Sequence, residues 1–396
     1  MRVVLMMNFV APYRVPLLEA LHDRVGALQI WLSTRMERDR AWTPDWGRLD
    51  VAVQRTVTVC KRQAYGPEFS RDLEIHVPYD TLPRLVAARP DAIIAAELGA
   101  RSVQAALYRR TRRGMPLLIW ATLSERSERD WGPIRRAVRR FILAAADGVM
   151  VNGQSGARYI RTFGVPDERI FVVNQPVDVD LFANEPARRP TDGVSRLLVC
   201  GMLVKRKGIH LLCAVLDAWA IAHRDRRIEV WFVGEGELAD AIAARPSPAN
   251  VDYRLLGHKT YAELPPLYAQ VSHFVLPTLM DEWGLVVNEA MASGLPVLGS
   301  IHSQAVEELV TEGVDGWIFD PLDSVSFAAA LDRALLAEPA QLATMGAAAR
   351  RRISGLTPQA AADRIAHALQ STLAKLRPAK PNAAARYATA IRSSEP

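Results

Sequence analysis

Between Pro277 and Ser300 the chain reads PTLMDEWGLVVNEAMASGLPVLGS, an order of residues that few folds accommodate. An apolar run, Val271 to Leu276, leads into it. A loop with two adjacent carboxylates, Asp281 and Glu282, comes next, then Gly284, then a segment of helical spacing that holds a third carboxylate, Glu289. Gly294 and Pro296 close it around a short apolar run, Leu295 to Leu298. The pattern is strand, acidic loop, helix, Gly-Pro turn, strand, one unit of a parallel α/β sheet. Such sheets bind ligands at the carboxyl ends of their strands and the amino ends of their helices. The carboxylates and Gly284 therefore stand where a ligand would, and the N–H groups that follow, those of Leu285 and Val286, face phosphate or hydroxyl oxygens.

The rest of the chain repeats the alternation. Apolar runs fit strands at 3–7, 28–32, 51–59, 92–96, 117–120, 148–151 and 170–173, with helical segments between them. A stretch rich in Pro, Asp and Arg follows. A second set then places strands at 196–201, 228–234, 253–256, 274–276 and 316–319. This predicts an α/β fold of two doubly wound, Rossmann-like domains facing a central cleft. The boundaries expected are 1–175 for the first domain, 176–194 for a linker and 195–357 for the second domain. Residues 358–378 read as a closing helix and 379–396, polar and small, as a disordered tail.

At 396 residues, 49% hydrophobic and 23% charged, the chain has room for two soluble domains. No run of about 18 apolar residues marks a membrane span. RVVLMMNFV at the start reads as a buried strand and lacks the cleavage site of a leader. Cys60, Cys200 and Cys213 lack metal-ligand spacing and suit buried thiols in a reducing cytoplasm. Residues 1–180 hold 27 Lys and Arg against 20 Asp and Glu, and the remainder 22 against 23. The excess lies in RRTRRG (109–114) and RRAVRR (135–140). It fits a solvated helix face, an anionic acceptor or an anionic membrane leaflet. No nucleic-acid motif accompanies it. In IRRAVRRFILAAA, Ile134, Val138, Phe141 and Ile142 share a helical face, expected to pack on the sheet.

The 277–300 block resembles the signature of the retaining, nucleotide-sugar-dependent glycosyltransferases of family 4, which have the GT-B fold. Two glutamates separated by seven residues are usual there. Here Asp281 takes the first place and Glu289 the second, with Trp283, Gly284 and Leu285 between. Aspartate keeps the charge but is one methylene shorter, and Glu282 stands beside it. The segment LLVCGMLVKRKGIHLL (197–212) resembles the family's phosphate loop: Gly201 ends a strand and Lys207-Gly208 opens a helix. A lysine and a helix amino end together answer a diphosphate's charge. Met202 replaces the usual arginine, so Lys205 or Arg206 is the candidate second cation. Gly234 begins a Gly-x-Gly turn, and Gly257, His258 and Lys259 occupy the nucleobase place. VVNQPVDVDLF (172–182) is similar to the family's interdomain segment.

In the first domain Tyr13 and Arg14, after the first strand, are candidates for acceptor or phosphate contact, and Glu97 and Ser124 for acceptor contact. The loop lacks the glycine pair, and 120–131 lacks the histidine, that many relatives carry. The resemblance implies electrostatic stabilisation of a departing diphosphate by Lys207, a sugar hydroxyl held by Asp281, and ribose held by Glu289. It implies a UDP- or GDP-sugar donor, a glycan or lipid-linked acceptor, no cofactor and no metal. The expected place is the cytoplasm, free or peripheral on the inner face of the cell membrane. Two alternatives stay open: a catalytically weak nucleotide-sugar-binding scaffold of a glycan-assembly complex, and an epimerase or phosphorylase of the same architecture.

Overall fold

A computed structural model of the chain describes residues 1–37, 43–65, 69–112, 114–128, 132–185 and 188–376. The expected tail and Arg113 of the first basic cluster lie outside the described residues.

The first half contains β1 (Arg2–Met7), α1 (Val15–Val25), β2 (Ala27–Leu32), β3 (Asp50–Val53), β4 (Thr56–Tyr65), β5 (Phe69–Pro78), α2 (Thr81–Ala88), β6 (Ala92–Ala96), α3 (Ala100–Thr111), β7 (Leu117–Ala121), α4 (Pro133–Ala145), β8 (Gly148–Val151), α5 (Gln154–Arg161) and β9 (Ile170–Val172). A short helix, α6 (Val179–Ala183), follows. The second half contains β10 (Val194–Cys200), α7 (Ile209–Ala222), β11 (Arg227–Val233), α8 (Ala239–Ala243), β12 (Val251–Leu255), α9 (Leu264–Ala269), β13 (His273–Leu276), α10 (Leu285–Ala292), β14 (Val297–Ser300), α11 (Gln304–Leu309), β15 (Gly316–Phe319), α12 (Ser324–Leu335), α13 (Pro339–Ile353) and α14 (Pro358–Leu376).

Two parallel sheets result, ordered β3-β2-β1-β6-β7-β8-β9 and β12-β11-β10-β13-β14-β15. Their inner strands, such as AIIAA and LLIWA, are buried along their whole length. They read as continuous apolar runs because helices cover both faces. Each sheet reverses its winding once, at β1/β6 and at β10/β13. Reversal leaves a crevice at the carboxyl ends of those strands. The loops after β10 and β13 carry Lys207 and Asp281, and those after β1 and β6 carry Arg14 and Glu97. Topology alone thus collects most of the charged candidates at two switch points.

Helix α14 lies on the first domain, where Ala362, Ile365 and Leu369 share a core with Leu17, Leu18 and Leu21 of α1. Segment 176–194 is less of a free linker than its composition suggests. Asp178 caps α6 by accepting from the Leu181 N–H at 3.1 Å, and Phe182 is fully buried against Tyr261 and Tyr268. The single strand expected over 51–59 is broken at Gln54. That residue is buried, with its amide donating to Thr81 Oγ1 at 2.7 Å. Beyond it the chain leaves the sheet and pairs β4 antiparallel with β5, a hairpin absent from the sequence reading. The apolar stripe expected to pack along α4 does so only from Phe141 onward, and Ile134 stays 81% exposed.

Candidate active site

The loop after β10 turns at Gly201, winds through a single 3-10 turn, Lys205–Lys207, and enters α7 at Gly208. Gly208 has φ +66°, and a Cβ there would lie 1.9 Å from the Pro277 carbonyl oxygen. Only glycine lets the two switch-point loops touch backbone to backbone. Further bonds fasten them: the Leu279 N–H donates to Arg206 O at 2.9 Å, and the Arg206 guanidinium donates to Met280 O at 2.8 Å. Arg206 therefore serves the acidic loop's backbone. Lys205 is exposed and Met202 half-buried.

This contact brings Lys207 Nζ to 2.5 Å from Asp281 Oδ2, across 74 residues of chain. Both side chains are about one-sixth exposed, at 15% and 16%. The lysine expected on phosphate and the carboxylate expected on a sugar hydroxyl are thus paired with each other. Asp281 N donates to His302 O at 3.1 Å, which fixes its backbone. Glu282 is exposed, and Trp283 is buried with its indole N–H on Asn288 Oδ1 at 3.0 Å. Gly284, at φ +101°, caps α10. The amides of Leu285 and Val286 lie in the first turn and have no acceptor within the helix.

One turn further, Glu289 is 6% exposed and accepts from the Tyr268 hydroxyl at 2.7 Å. Burial pushes its carboxyl up to about 7, and the Tyr268 bond opposes this only in part. The Cys200 thiol beside this pair is pushed up to about 12 by burial, with the Glu289 charge adding to it. Gly234 N donates to Gly257 O at 2.9 Å, so both glycines border the same end of the sheet, with His258 exposed and Lys259 half-buried next to them.

Across the cleft, Arg14 lies 5.6 Å over the Trp120 ring, and Tyr13 sits beside it in the turn before α1. Glu97 adopts φ +65°, a conformation that costs a non-glycine residue strain of order 1–3 kcal/mol. Its Oε1 accepts from Thr122 Oγ1 at 2.5 Å. Desolvation raises its carboxyl, the Thr122 bond opposes this, and the Glu282 charge on the other domain raises it further. Ser124 is buried. Its hydroxyl accepts from Ser127 N at 3.0 Å, and its own N–H donates to Ser127 Oγ at 2.9 Å. It closes a turn with Ser127.

The two domains meet on one side of the cleft through residues most of which sequence reasoning did not single out. Gln304, buried, donates to Leu123 O at 3.2 Å and to Glu282 O at 2.5 Å. Arg126 bonds His302 Nδ1 at 3.2 Å, and His302 Nε2 faces Asp320 at 3.2 Å. Arg158 pairs with Glu307 at 2.6 Å. Tyr268 was missed as well; a tyrosine inside an apolar helix carries no sign of its acceptor. Among the described residues no group of three His, Cys, Asp or Glu side chains is placed to hold a metal ion. No helix among them is long and apolar enough to cross a membrane.

Residues 14–181 match the family model described as Glycosyltransferase Family 4, and residues 194–337 the one described as Glycosyl transferases group 1. The chain is 30% identical over 223 residues to the glycogen synthase of Mycobacterium tuberculosis, a match over 55% of this chain and 52% of that one. It is 28% identical over 260 residues to D-inositol 3-phosphate glycosyltransferase 1 of Catenulispora acidiphila, over 61% of each. The chain spans about half the length of the curated relatives it matches. Among solved structures it resembles lipopolysaccharide outer core galactosyltransferase WaaB, with TM-score 0.68, 15% identity and 94% and 99% of the two chains covered. It also resembles HepE of Anabaena in complex with UDP, with TM-score 0.68, 17% identity and 94% and 100% covered. At these identities the likeness shows the fold, which is GT-B.

Proposed function

The chain belongs to glycosyltransferase family 4, and from that premise we propose that it moves a glycosyl group from a nucleotide sugar to an acceptor hydroxyl, with retention, in the assembly of a cell-surface polysaccharide or glycolipid. The observation that carries the proposal is the convergence of Lys207, Asp281 and the amino end of α10 at one switch point. A donor diphosphate would take Lys207 from Asp281, one anion replacing another. The freed carboxylate would then accept from a hydroxyl of the transferred sugar. The first-turn amides of α10 would hold sugar or phosphate oxygens. The bond from the anomeric carbon to phosphate oxygen breaks and the bond to the acceptor oxygen forms on the same face. The acceptor's proton passes to the departing phosphate. Lys207 stabilises the charge that develops there, which is preorganised electrostatic catalysis.

Glu289 would bind the ribose hydroxyls, and Gly257, His258 and Lys259 the base. HepE was solved with UDP and with UDP-glucose, so UDP-glucose is the first donor to test, with a GDP-sugar beside it. Glu97, Arg14 and Tyr13 would face the acceptor, a glycan or a lipid-linked sugar, and the basic first domain would favour an anionic membrane. Lys207 and the α10 amides balance the leaving group, so no metal is needed. Transfer assayed with and without EDTA tests this. Undiminished turnover in the chelator is expected, and activity restored only by Mg²⁺ or Mn²⁺ would overturn the charge argument.

A further inference from the structure

The β4–β5 hairpin belongs to neither of the two large sheets. Side chains alternate across it. On the face with Thr58 and His76 the His76 end turns inward, while Thr58 and Cys60, the latter expected as a buried thiol, stay exposed. His76 is buried, 2.9 Å from Thr58 Oγ1, and β5 packs on α3. The opposite face sets Val57 against Val77 and Val59 against Ile75. These four residues are 55%, 38%, 50% and 45% exposed, with Tyr79 beside them at 59%. A one-residue slip in register would turn them inward and His76 outward, yet the fold holds the apolar side toward solvent. The largest apolar patch of a monomer, about 300–600 Å², is often a functional surface.

Charge names the occupant. By the strand alternation Arg55 and Lys61 share the outward face at either end of the valines, and both are exposed. Asp72 and Glu74 fall on the other face. An apolar centre between cations suits an anionic lipid surface, apolar groups entering the interface and cations meeting headgroups. A second copy stacked on this face would oppose like charges. The α4 arginines are in part engaged elsewhere: Arg139 is buried in an ion pair with Glu128, and Arg136 lies 5.5 Å over Phe163. The hairpin also comes against the Lys205–Lys207 turn, at the edge of the cleft.

We infer that the outward face of the β4–β5 hairpin docks on an anionic bilayer and sets the cleft at its surface. That a lipid-borne acceptor is met there rests on the glycosyl-transfer reading; the docking does not. Sedimentation with phosphatidylcholine vesicles, with and without phosphatidylglycerol, at low and high salt, tests it. The full chain pellets with the anionic vesicles at low salt. The Val57→Thr/Val59→Thr/Ile75→Thr/Val77→Thr variant keeps β-branched residues and so the strands, checked by circular dichroism, and loses at least about tenfold in partition. Arg55→Gln/Lys61→Gln loses about 30-fold, from about 1 kcal/mol per charge at the surface. Arg135→Glu/Arg136→Glu/Arg140→Glu loses less than that pair, although it removes more charge. A full chain that stays in the supernatant, a threonine variant that pellets like the parent, or a dimer dissolved by the threonine changes would each overturn the inference. UDP-glucose and GDP-mannose binding is measured in parallel. A parent that pellets yet binds neither nucleotide sugar would sink the transfer reading and leave the docking standing.

Discussion

Replacing Asp281 by asparagine keeps the side chain's shape and removes the charge that Lys207 meets at 2.5 Å. Two unit charges attract by about 4 kcal/mol at 4 Å and an effective dielectric constant of 20. Removing one partner of a largely desolvated pair costs about 3–5 kcal/mol. These side chains retain 15% and 16% exposure, so about 3 kcal/mol is the better figure. For a domain of this size that lowers the melting temperature by roughly 6–12 °C, at about 2–4 °C per kcal/mol. UDP then does in the variant what Asp281 did. In the parent protein its diphosphate must first displace the carboxylate, whereas in Asp281→Asn it meets a lysine that has lost that competitor. UDP should therefore bind Asp281→Asn at least about tenfold more tightly, 1.4 kcal/mol or more, and restore most of the lost melting temperature. Transfer from the intact donor should fall all the same, because the sugar hydroxyl loses a charged acceptor. Calorimetric titration with UDP and a transfer assay read the two effects separately. Equal or weaker UDP binding in a folded Asp281→Asn variant would refute the exchange of partners.

Lys207→Ala should fold and lose about 10²–10³-fold in kcat, the scale for one preorganised charge-stabilising donor; near-normal turnover would remove Lys207 from the reaction. Glu289 has its carboxyl raised from 4.5 to about 7, so the folded state binds the proton more tightly than the unfolded one. Its contribution is complete below about pH 4.5 and is lost as pH rises to 7, on the order of 3 kcal/mol. Denaturant titration between pH 5 and 8 should show that fall, and Glu289→Gln should flatten it. Gly208→Ala and Gly257→Ala both force a side chain to positive φ, at +66° and +67°, a strain of about 1–2 kcal/mol. Only the first also drives a methyl into the Pro277 carbonyl. Gly208→Ala should thus melt several degrees below Gly257→Ala; equal melting temperatures would contradict the loop packing described.

The sequence alone determines what depends on neighbours along the chain. Apolar runs alternating with helical spacing set two parallel sheets, since period and run length are local properties. Lys207-Gly208 and the 281–289 block were legible because each sits at a strand-to-helix junction, where the backbone dictates which residues can serve a ligand. Tertiary structure decided the pairings. The sequence holds Lys207 and Asp281 as two separate candidates, and only the approach of the β10 and β13 loops, permitted by Gly208, makes them one ion pair. Glu289 could be read as a ribose ligand, but its high proton affinity comes from burial and Tyr268, whose hydroxyl arrives from another helix. Ser124 reads in the sequence as one more hydroxyl, and only the fold buries it in a turn with Ser127. The period-2 pattern in VTV marks a strand, yet no pattern states that its apolar side faces water. A strand's two faces are equivalent until something packs on one of them, and here α3 packs on β5, where His76 is buried.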